Sequence, residues 1–309
     1  MKKVKILIAD EIDLRKISVL KKSFFEISKK FGISNSEILR SYNNYEILII
    51  RSVRIIDRNF LRKCNFKIIA TCSRGTDNID VEYANRKKIA IINADEANAT
   101  STAEHTFALI LAIYKNLFTS GRLVRESKFN IYNFHRYELK GKKIGIIGVG
   151  RVGSRVAVFA KAFNMQIIAN DIDSFVVKSH PELEFKSLNY LLKNSDIVTI
   201  HIPLNKTNSN FLNRDKLINL KKNAVLINTA RGEVIDEKYL FKLLLNKKIY
   251  YAGLDVFKNE PEINKDFFKL ENVILTNHIA GKTKESFKRI PAEIFYKIID
   301  IFSHKTGNE

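Results

Sequence analysis

Short apolar runs recur along the whole chain, and the segments between them have the spacing of amphipathic helices. The runs rarely alternate with polar residues, which is typical of strands buried on both faces of a parallel sheet. Such a series predicts an α/β architecture with right-handed crossover connections. The predicted strands are Val4–Ala9, Ile47–Ile50, Phe66–Cys72, Ile89–Ile92, Lys143–Gly148, Gln166–Asn170, Ile197–Ile200, Ala224–Ile227, Tyr251–Leu254 and Val273–Leu275.

The helical segments and the chain length predict two domains. The clearest helical patterns are Asp13–Lys29, Ala99–Ser120, Val152–Phe163, Glu237–Leu245 and Lys284–Ser303. The 309 residues, 45% of them hydrophobic, are enough for two cores. We therefore expect one domain from residues 1–97 plus a returning segment 284–309, and a second domain from residues 98–283.

The formal net charge of +20 raises the question of nucleic-acid binding. The lysines are spread along the whole chain, and no long basic block, zinc-finger spacing or aromatic RNA-binding signature occurs. The charge therefore indicates a compositional bias, and we expect no nucleic-acid partner. A diffuse positive field would still attract a small anionic substrate.

Cysteine content and hydropathy bear on the compartment. Cys64 and Cys72 are too few for a disulfide framework or a structural zinc site, which favours a reducing compartment and no metal. The longest apolar run with helical character, Thr106–Tyr114, is far shorter than the ~18 residues of a membrane span. The N-terminal apolar stretch is interrupted by Asp10 and indicates a strand rather than a signal peptide. We expect a cytoplasmic protein with no membrane partner.

A glycine motif follows the predicted strand Lys143–Gly148. Gly148, Gly150 and Gly153 form G-x-G-x-x-G before a helical pattern, a context typical of dinucleotide-binding loops, although three glycines can also make an ordinary tight turn. The helix N-terminus would offer free N–H groups to a pyrophosphate. Asp171 ends the next predicted strand and could bind ribose hydroxyls, or could simply cap the strand. Because no Arg follows Asp171, the motif favours NAD over NADP.

Three charged side chains follow three consecutive predicted strands. Arg231, Glu260 and His278 come after the strands that start near residues 224, 251 and 273. Carboxyl ends of parallel strands meet at one sheet edge, where ligands bind. Each residue alone could be a surface or capping group, but together they suit acid–base chemistry on a carboxylate substrate.

These segments together resemble the D-isomer-specific 2-hydroxyacid dehydrogenase family over nearly the whole chain. The matching segments are Asp77–Asp80, Ala103–Thr106, Gly148–Gly153, Asp171, Asn228–Gly232, Gly253–Phe257, Glu260–Pro261 and His278–Gly281. The resemblance implies two Rossmann-like or flavodoxin-like domains with parallel sheets and an active site in the cleft between them. It also implies a homodimer formed through helix 99–120, in which His105 packs as a core or interface residue.

The resemblance further implies roles for single residues. Arg231 would hold the substrate carboxylate, His278 would exchange the hydroxyl proton as hydride moves between C2 and NAD, and Glu260 would orient His278. The segment with His201 matches the family beside the adenosine half, and the imidazole itself is given no chemistry. The residues implied to bind the cofactor are Gly148, Gly150, Arg151, Val152, Gly153, Asp171, His201, Pro203, Thr207, Thr229, Ala230, Asp255, Ala280 and Gly281.

Substrate identity depends on two loops of the first domain. Arg51 and Ser52 resemble the strand-end pair of family members that recognise phosphate, and Arg54 adds either a nearby cation or part of the general basic excess. The residues expected at the substrate are Arg51, Ser52, Ser73, Arg74, Gly75 and Asn78. Two positions depart from the family: Thr71 stands where phosphoglycerate dehydrogenases usually have Arg, and Asn277 replaces a common Pro.

The preferred reaction is oxidation of 3-phosphoglycerate to 3-phosphohydroxypyruvate, a step of serine biosynthesis. Because the sequence stops at Glu309, we expect no appended regulatory or dimerisation domain. A glyoxylate or hydroxypyruvate reductase and a 4-phosphoerythronate dehydrogenase-like enzyme are the alternatives. An NAD-sensing corepressor-like binding protein is the alternative outside enzymes.

Overall fold

The computed structural model describes residues 3–20, 24–73, 75–129 and 136–306. The chain divides into two compact units, each described separately below. The first unit comprises Met1–Asn98 and Lys282–Glu309, and the second unit comprises Ala99–Gly281.

Strands and helices alternate along most of the described chain. The strands are β1 Val4–Ile8, β2 Phe25–Lys29, β3 Ile47–Ile50, β4 Ile68–Thr71, β5 Ala90–Asn93, β6 Lys143–Ile147, β7 Gln166–Asn170, β8 Glu184–Phe185, β9 Ile197–Ile200, β10 Val225–Asn228, β11 Tyr251–Leu254 and β12 Val273–Leu275. The α-helices are α1 Asn35–Ser41, α2 Arg58–Lys63, α3 Val81–Arg86, α4 Ala99–Lys115, α5 Leu117–Arg125, α6 Arg151–Ala162, α7 Ser174–Ser179, α8 Leu188–Asn194, α9 Arg214–Leu217, α10 Glu237–Leu245 and α11 Lys284–Thr306.

The first unit is built on a five-stranded parallel sheet in the order β2-β1-β3-β4-β5. The central strands β3 and β4 are buried at every residue, because apolar side chains pack on both sheet faces. One face packs against Ile294, Phe295 and Ile298 of α11. The other face packs against α2 through residues such as Phe60. The long returning helix is therefore part of the core of the first unit.

The second unit contains a seven-stranded parallel sheet in the order β12-β11-β10-β9-β6-β7-β8. The strand order reverses at β6, so the loops after β6 and β9 flank a topological switch point, where ligands bind in open α/β sheets. The loops after β10, β11 and β12 leave the same edge because all the strands are parallel. Both units confirm the predicted α/β class with parallel sheets.

Two predicted helices differ from the structure. The segment predicted as helix Asp13–Lys29 instead contains a short 3-10 helix, Ile17–Val19, and the edge strand β2, which pairs with β1. The predicted helix Ala99–Ser120 ends at Lys115, since Asn116 adopts a left-handed conformation with φ 55° before α5 begins. The two-residue strand β8 is too short to give a sequence signal.

Among the described helices, no single one is long and apolar enough to cross a membrane. The bent pair formed by α4 and α5 has the required length and composition together, with an angle of 59° between its parts. Most of α4 is buried in the core of the second unit, which accounts for its apolar composition.

Candidate active site

The glycine loop after β6 is shaped by two close backbone approaches. Gly148 has φ 85°, and a Cβ on Gly153 would lie 1.9 Å from the Gly148 carbonyl oxygen. Neither position tolerates a side chain in this conformation. By contrast, no described atom lies within 4 Å of a Cβ built on Gly150. The start of α6 thus presents open backbone at Gly150, which fits the approach of a ligand phosphate.

Asp171 contacts the glycine loop directly. Its Oδ2 accepts a hydrogen bond of 2.7 Å from the Val149 N–H, and its Oδ1 accepts one of 2.9 Å from the Asp173 N–H. The carboxylate therefore holds the loop in place, a contact that its spacing from the glycines does not reveal. A carboxylate has further lone pairs, so both oxygens can still accept hydrogen bonds from ribose hydroxyls.

Several residues expected at the cofactor have buried side chains. They are Val152, His201, Thr229, Ala230, Asp255 and Ala280. The Thr229 hydroxyl lies 2.9 Å from that of Thr106, and the His201 N–H donates to the Ile147 carbonyl at 2.8 Å. Arg151, Pro203 and Thr207 are exposed, and the Thr207 hydroxyl donates to Asn205 Oδ1 at 2.7 Å.

The turn that carries Arg231 is fixed by Asn228 at the end of β10. The Asn228 amide donates to the Arg231 carbonyl at 2.8 Å, and its oxygen accepts from the Ala230 N–H at 3.0 Å. The next residue, Gly232, has no room for a side chain, because a Cβ would lie 2.0 Å from the Phe257 carbonyl carbon. The loops after β10 and β11 are therefore in backbone contact.

His278 and Glu260 form a direct pair. His278 Nδ1 lies 2.7 Å from Glu260 Oε2, and the other oxygen, Oε1, accepts from the Phe257 N–H at 2.9 Å. The His278 side chain is 41% exposed, so its second ring nitrogen can be reached by a ligand. Glu260 thus binds Nδ1 of the imidazole, and Nε2 is the ring nitrogen that can exchange a proton with a ligand.

Charge and burial compete at Glu260. Burial alone would raise the pKa of this carboxyl group. The hydrogen bonds from His278 and the Phe257 N–H and the positive charge of Arg231 lower the pKa by more than burial raises it. The net effect holds the pKa of Glu260 below its ordinary value. Arg231, Glu260 and His278 thus lie close enough for their charges to interact.

Asp255 lies beneath the His278 turn and is fully buried. Its carboxylate accepts hydrogen bonds from the N–H groups of Ile279 and Ala280 at 2.9 and 2.8 Å, and its carbonyl accepts from the His278 N–H at 2.8 Å. His278 itself has φ 55°, a conformation that a residue with a side chain adopts rarely. Three hydrogen bonds to one residue compensate for that conformation.

A partly buried chain of polar side chains extends from Asp255 to α4. The Thr276 hydroxyl donates to Asp255 Oδ1 at 2.6 Å, and His105 Nε2 lies 3.1 Å from the same hydroxyl. His105, expected from the sequence to pack in the core or an interface, thus takes part in the network under His278. The sequence gives no signal for this role, because His105 and Thr276 are 171 positions apart.

In the first unit, the loop after β3 is anchored by a buried ion pair. Arg54 Nη2 lies 2.6 Å from Asp10 Oδ1, and the two side chains are 10% and 11% exposed. The same guanidinium donates to the Asn35 side chain and the Ile33 carbonyl. Asp10 Oδ2 in turn accepts from the Arg51 N–H at 2.9 Å. Arg54 is thus a structural cation. Asp10, the carboxylate that it binds, also holds the Arg51 backbone.

The remaining residues expected at the substrate also make local contacts. The Asn78 amide donates to the Arg54 carbonyl at 2.7 Å, so its side chain supports the loop that carries Arg51 and Ser52. The Ser73 hydroxyl donates to the Gly75 carbonyl at 2.8 Å. Arg51 and Ser52 are exposed. Arg74 lies outside the described residues.

Clusters of metal-ligating side chains and free cysteine thiols are two further kinds of candidate site in the described chain. Among the described residues, no group of three or more His, Cys, Asp or Glu side chains is placed to hold a metal ion. Cys64 and Cys72 are both free thiols. Burial raises the pKa of Cys72 to about 12, against the opposing charge of Arg51. A thiol with such a pKa is protonated at neutral pH and is a poor nucleophile.

Comparison with known proteins identifies the class to which this fold and site belong. Residues 107–280 match the family model described as "D-isomer specific 2-hydroxyacid dehydrogenase, NAD binding domain". That range is more than half of the chain and includes the glycine loop, Arg231, Glu260 and His278. The chain belongs to the D-isomer specific 2-hydroxyacid dehydrogenase family, and its second unit contains the NAD-binding domain.

Curated relatives within the family carry different names. The chain is 35% identical over 288 residues to a D-3-phosphoglycerate dehydrogenase of Archaeoglobus fulgidus, covering 92% of this chain and 54% of the relative. It thus spans about half the length of that relative. It is 33% identical to a hydroxypyruvate reductase of Thermotoga maritima, with 96% of this chain and 98% of the relative covered.

A solved structure with a similar fold matches nearly the whole length of the chain. The D-lactate dehydrogenase from Aquifex aeolicus, complexed with NAD and lactic acid, superimposes with a TM-score of 0.81 at 28% identity. The match covers 97% of this chain and 96% of that structure. It supports the parallel α/β architecture described above.

Proposed function

We propose that this protein catalyses hydride transfer between C2 of a D-2-hydroxy acid and NAD. The pairing of His278 Nδ1 with Glu260 at 2.7 Å, beside the charge of Arg231, is the observation that carries this proposal. A partly exposed imidazole on an ionised carboxylate suits a general acid–base. A guanidinium nearby suits a substrate that carries a carboxylate.

The proposed division of work follows from the chemistry of each group. Arg231 binds the substrate carboxylate and polarises the C2 oxygen. His278 takes the hydroxyl proton on oxidation and returns it on reduction, while Glu260 stabilises the charged imidazole and fixes its orientation. Asp255 is a positioning residue, because its carboxylate binds the N–H groups of Ile279 and Ala280 and the Thr276 hydroxyl.

The cofactor site fits the same proposal. NAD, when bound, supplies a nicotinamide that accepts or donates hydride. The open backbone at Gly150 and Arg151 would hold the pyrophosphate, and Asp171 would accept hydrogen bonds from ribose hydroxyls. The remaining cofactor contacts that we propose are Gly148, Val152, Gly153, His201, Pro203, Thr207, Thr229, Ala230, Ala280 and Gly281. Asp255, which is fully buried, would act on the cofactor through the Ala280 N–H that it binds.

For the substrate we propose 3-phosphoglycerate, oxidised to 3-phosphohydroxypyruvate as in serine biosynthesis. Two observations support this choice: the exposed Arg51–Ser52 pair on an anchored loop, and the similarity to phosphoglycerate dehydrogenases. A phosphate group would be bound by Arg51 and Ser52, and Ser73, Arg74, Gly75 and Asn78 complete the proposed contacts. Asn78 would act through the loop that it supports.

Hydroxypyruvate or glyoxylate reduction is the second candidate. The Thermotoga maritima hydroxypyruvate reductase is covered over 98% of its length, compared with 54% for the archaeal phosphoglycerate dehydrogenase. These keto acids carry a carboxylate for Arg231 but no phosphate for Arg51.

A substrate panel separates the two candidates. NADH absorbance is followed with 3-phosphoglycerate, D-glycerate, hydroxypyruvate, glyoxylate and D-lactate, for the wild type and for Arg51→Gln. If 3-phosphoglycerate is the substrate, Arg51→Gln raises KM for it and leaves KM for hydroxypyruvate nearly unchanged. A higher kcat/KM for hydroxypyruvate or glyoxylate in the wild type would favour the reductase, and no turnover of any acid would reject hydride transfer.

We also propose that two copies associate through residues 99–120. Leu117 and Phe118 at the start of α5 are 55% and 64% exposed, so two adjacent apolar side chains are available for a contact with a second copy. Light scattering on Leu117→Glu/Phe118→Glu should then give a monomer. Phe268→Glu, which alters an exposed Phe elsewhere in the second unit, should leave the dimer intact. A monomeric wild type would contradict this proposal.

We place the activity in the cytoplasm. Free thiols at Cys64 and Cys72 suit a reducing compartment. Fractionation of cells that produce the protein, followed by immunoblotting, tests the location, and recovery in a membrane or secreted fraction would contradict it.

A further inference from the structure

A basic cavity lies between α9 and the start of α10, and its lining includes none of Arg231, Glu260 and His278. It has a volume of about 360 Å³ and is lined by Arg214, Asp236, Lys238, Tyr239 and Lys242. Lining side chains include three cations and one carboxylate, so the cavity carries a net charge of about +2. The volume is in the range of small-molecule sites.

The cavity walls are held by backbone contacts. Leu212 and Ile235 form an isolated parallel bridge that ties the residues before α9 to those before α10. The Asp236 N–H donates to the Leu212 carbonyl at 3.0 Å, which places the first turns of both helices side by side. The backbone of the site is thus preformed, whereas the side chains of Arg214, Lys238 and Lys242 are exposed, so a ligand would have to order them.

The one carboxylate of the cavity, that of Asp236, accepts a backbone hydrogen bond. Asp236 Oδ1 accepts the Tyr239 N–H at 3.0 Å and thereby caps α10. In the described part of the chain, none of Arg214, Lys238 and Lys242 lies within 4.0 Å of a carboxylate. Lys238 and Lys242 are also four positions apart on α10, where like charges repel each other. An anion between them would relieve that repulsion.

Arg214 is oriented by an aromatic ring. Its guanidinium lies over the Tyr239 ring with 5.6 Å to the centroid. A cation–π contact of this kind restrains the guanidinium without using its N–H groups, and a guanidinium can bind two oxygens at once through them. Two lysine ammonium groups and one oriented guanidinium form a set of donors that suits phosphate better than a single carboxylate.

From these features we propose that the cavity binds a phosphate-bearing small molecule with at least two negative charges. The lining of this site shares no residue with the dinucleotide loop at Gly150 or the substrate loop at Arg51, and the proposal does not rest on the reaction proposed above. General attraction by the +20 chain is the competing explanation.

Calorimetric titration with pyrophosphate, with the enzyme saturated with NADH and at about 0.15 M salt, tests the site. Lys238→Gln/Lys242→Gln removes two cavity charges, and Lys193→Gln/Lys222→Gln removes two exposed charges elsewhere in the second unit. We expect the cavity variant to bind pyrophosphate about tenfold more weakly or worse, and the control variant to bind within about twofold of wild type. Arg214→Gln should also weaken binding.

Two results would overturn the proposal. One is a wild type that does not bind pyrophosphate, and the other is an equal loss of affinity in the cavity and control variants. Binding at the substrate loop alone is a case of the second result, because the cavity and control variants would then bind pyrophosphate equally. Thermal melts of all variants verify that the exposed substitutions leave the fold intact.

Discussion

His278 is held on both its backbone and its side chain by acidic residues, Asp255 and Glu260. At this residue scale the proposed reaction depends on one proton-exchanging group. His278→Ala should lower kcat by about 10²–10⁴-fold, the usual contribution of general acid–base catalysis, and leave the Kd for NADH nearly unchanged. Steady-state kinetics and fluorescence titration measure the two effects.

His180 offers a matched control for that substitution. It belongs to the same unit and pairs with a carboxylate, Glu182, at 3.2 Å. His180→Ala should therefore leave kcat within about twofold of wild type, as expected for a surface ion pair. If His278→Ala retained wild-type kcat, another group would have to exchange the proton.

Glu260 gives a second prediction at the residue scale, through its lowered pKa. A carboxyl group with a pKa below its ordinary value of 4.5 contributes stability above that pH, and loses it as the pH falls through the native-state pKa. Urea unfolding should therefore show wild type more stable than Glu260→Gln at neutral pH. The difference in the free energy of unfolding should shrink as the pH falls below 4.5.

Wild type and Glu260→Gln share all other carboxyl groups. The difference between their free energies of unfolding at each pH therefore cancels the effect of acid on those groups. A stability difference that stayed constant from neutral to acidic pH would show that the charge of Glu260 does not contribute. The hydrogen bond alone would then explain its contact with His278.

At the scale of elements, the turn from β6 into α6 separates a structural from a functional glycine. In Gly153→Ala the new Cβ would collide with the Gly148 carbonyl, whereas in Gly150→Ala it would meet open space. We expect Gly153→Ala to lose at least about 1–3 kcal/mol of stability. Gly150→Ala should keep the wild-type Tm and raise the Kd for NADH by about tenfold or more, because its methyl group occupies the space proposed for the pyrophosphate.

Thermal melts and NADH titrations of both variants test this assignment. Unchanged NADH affinity in Gly150→Ala would show that the cofactor phosphates do not approach this backbone. A wild-type Tm in Gly153→Ala would mean that the loop can relax without cost.

The elements also show how far local sequence determines the fold. Buried strands such as β3 and β9 are predicted with their observed bounds, because continuous apolar runs are stable in the interior of a parallel sheet. The predicted helix Asp13–Lys29 is wrong at the edge strand β2, because the alternation of Phe25 and Ile27 with polar residues is too short to stand out from the segment before it. The break at Asn116 depends on a left-handed residue that periodicity does not detect.

The same division applies to the candidate site. Gly148, Arg231, Glu260 and His278 lie in short motifs and can be recognised locally. The contact of His105 with Thr276, and that of Asp171 with Val149, depend on how distant segments pack. Side chains of that kind can be assigned only when the tertiary structure is known.

At the scale of the whole molecule, the charge of +20 is distributed along both units rather than concentrated in a block. Such a field accelerates the encounter with anions at long range, and salt screens it over about 8 Å at physiological ionic strength. The kcat/KM for an anionic substrate should therefore fall as salt rises, while kcat stays nearly constant. The fall should be steeper for a phosphorylated acid than for a keto acid with a single carboxylate.

Stopped-flow or steady-state measurements from about 0.01 to 0.5 M salt test this prediction across the range in which the screening length shortens from about 30 Å to a few ångströms. The two classes of acid differ by about two charges, because a phosphate group adds that many at neutral pH. If the overall field acts on encounter, the salt dependence scales with substrate charge in the wild type, and Lys193→Gln/Lys222→Gln reduces it slightly for both. Identical salt dependence for both acids would show that the basic excess is unrelated to substrate capture and reflects composition alone.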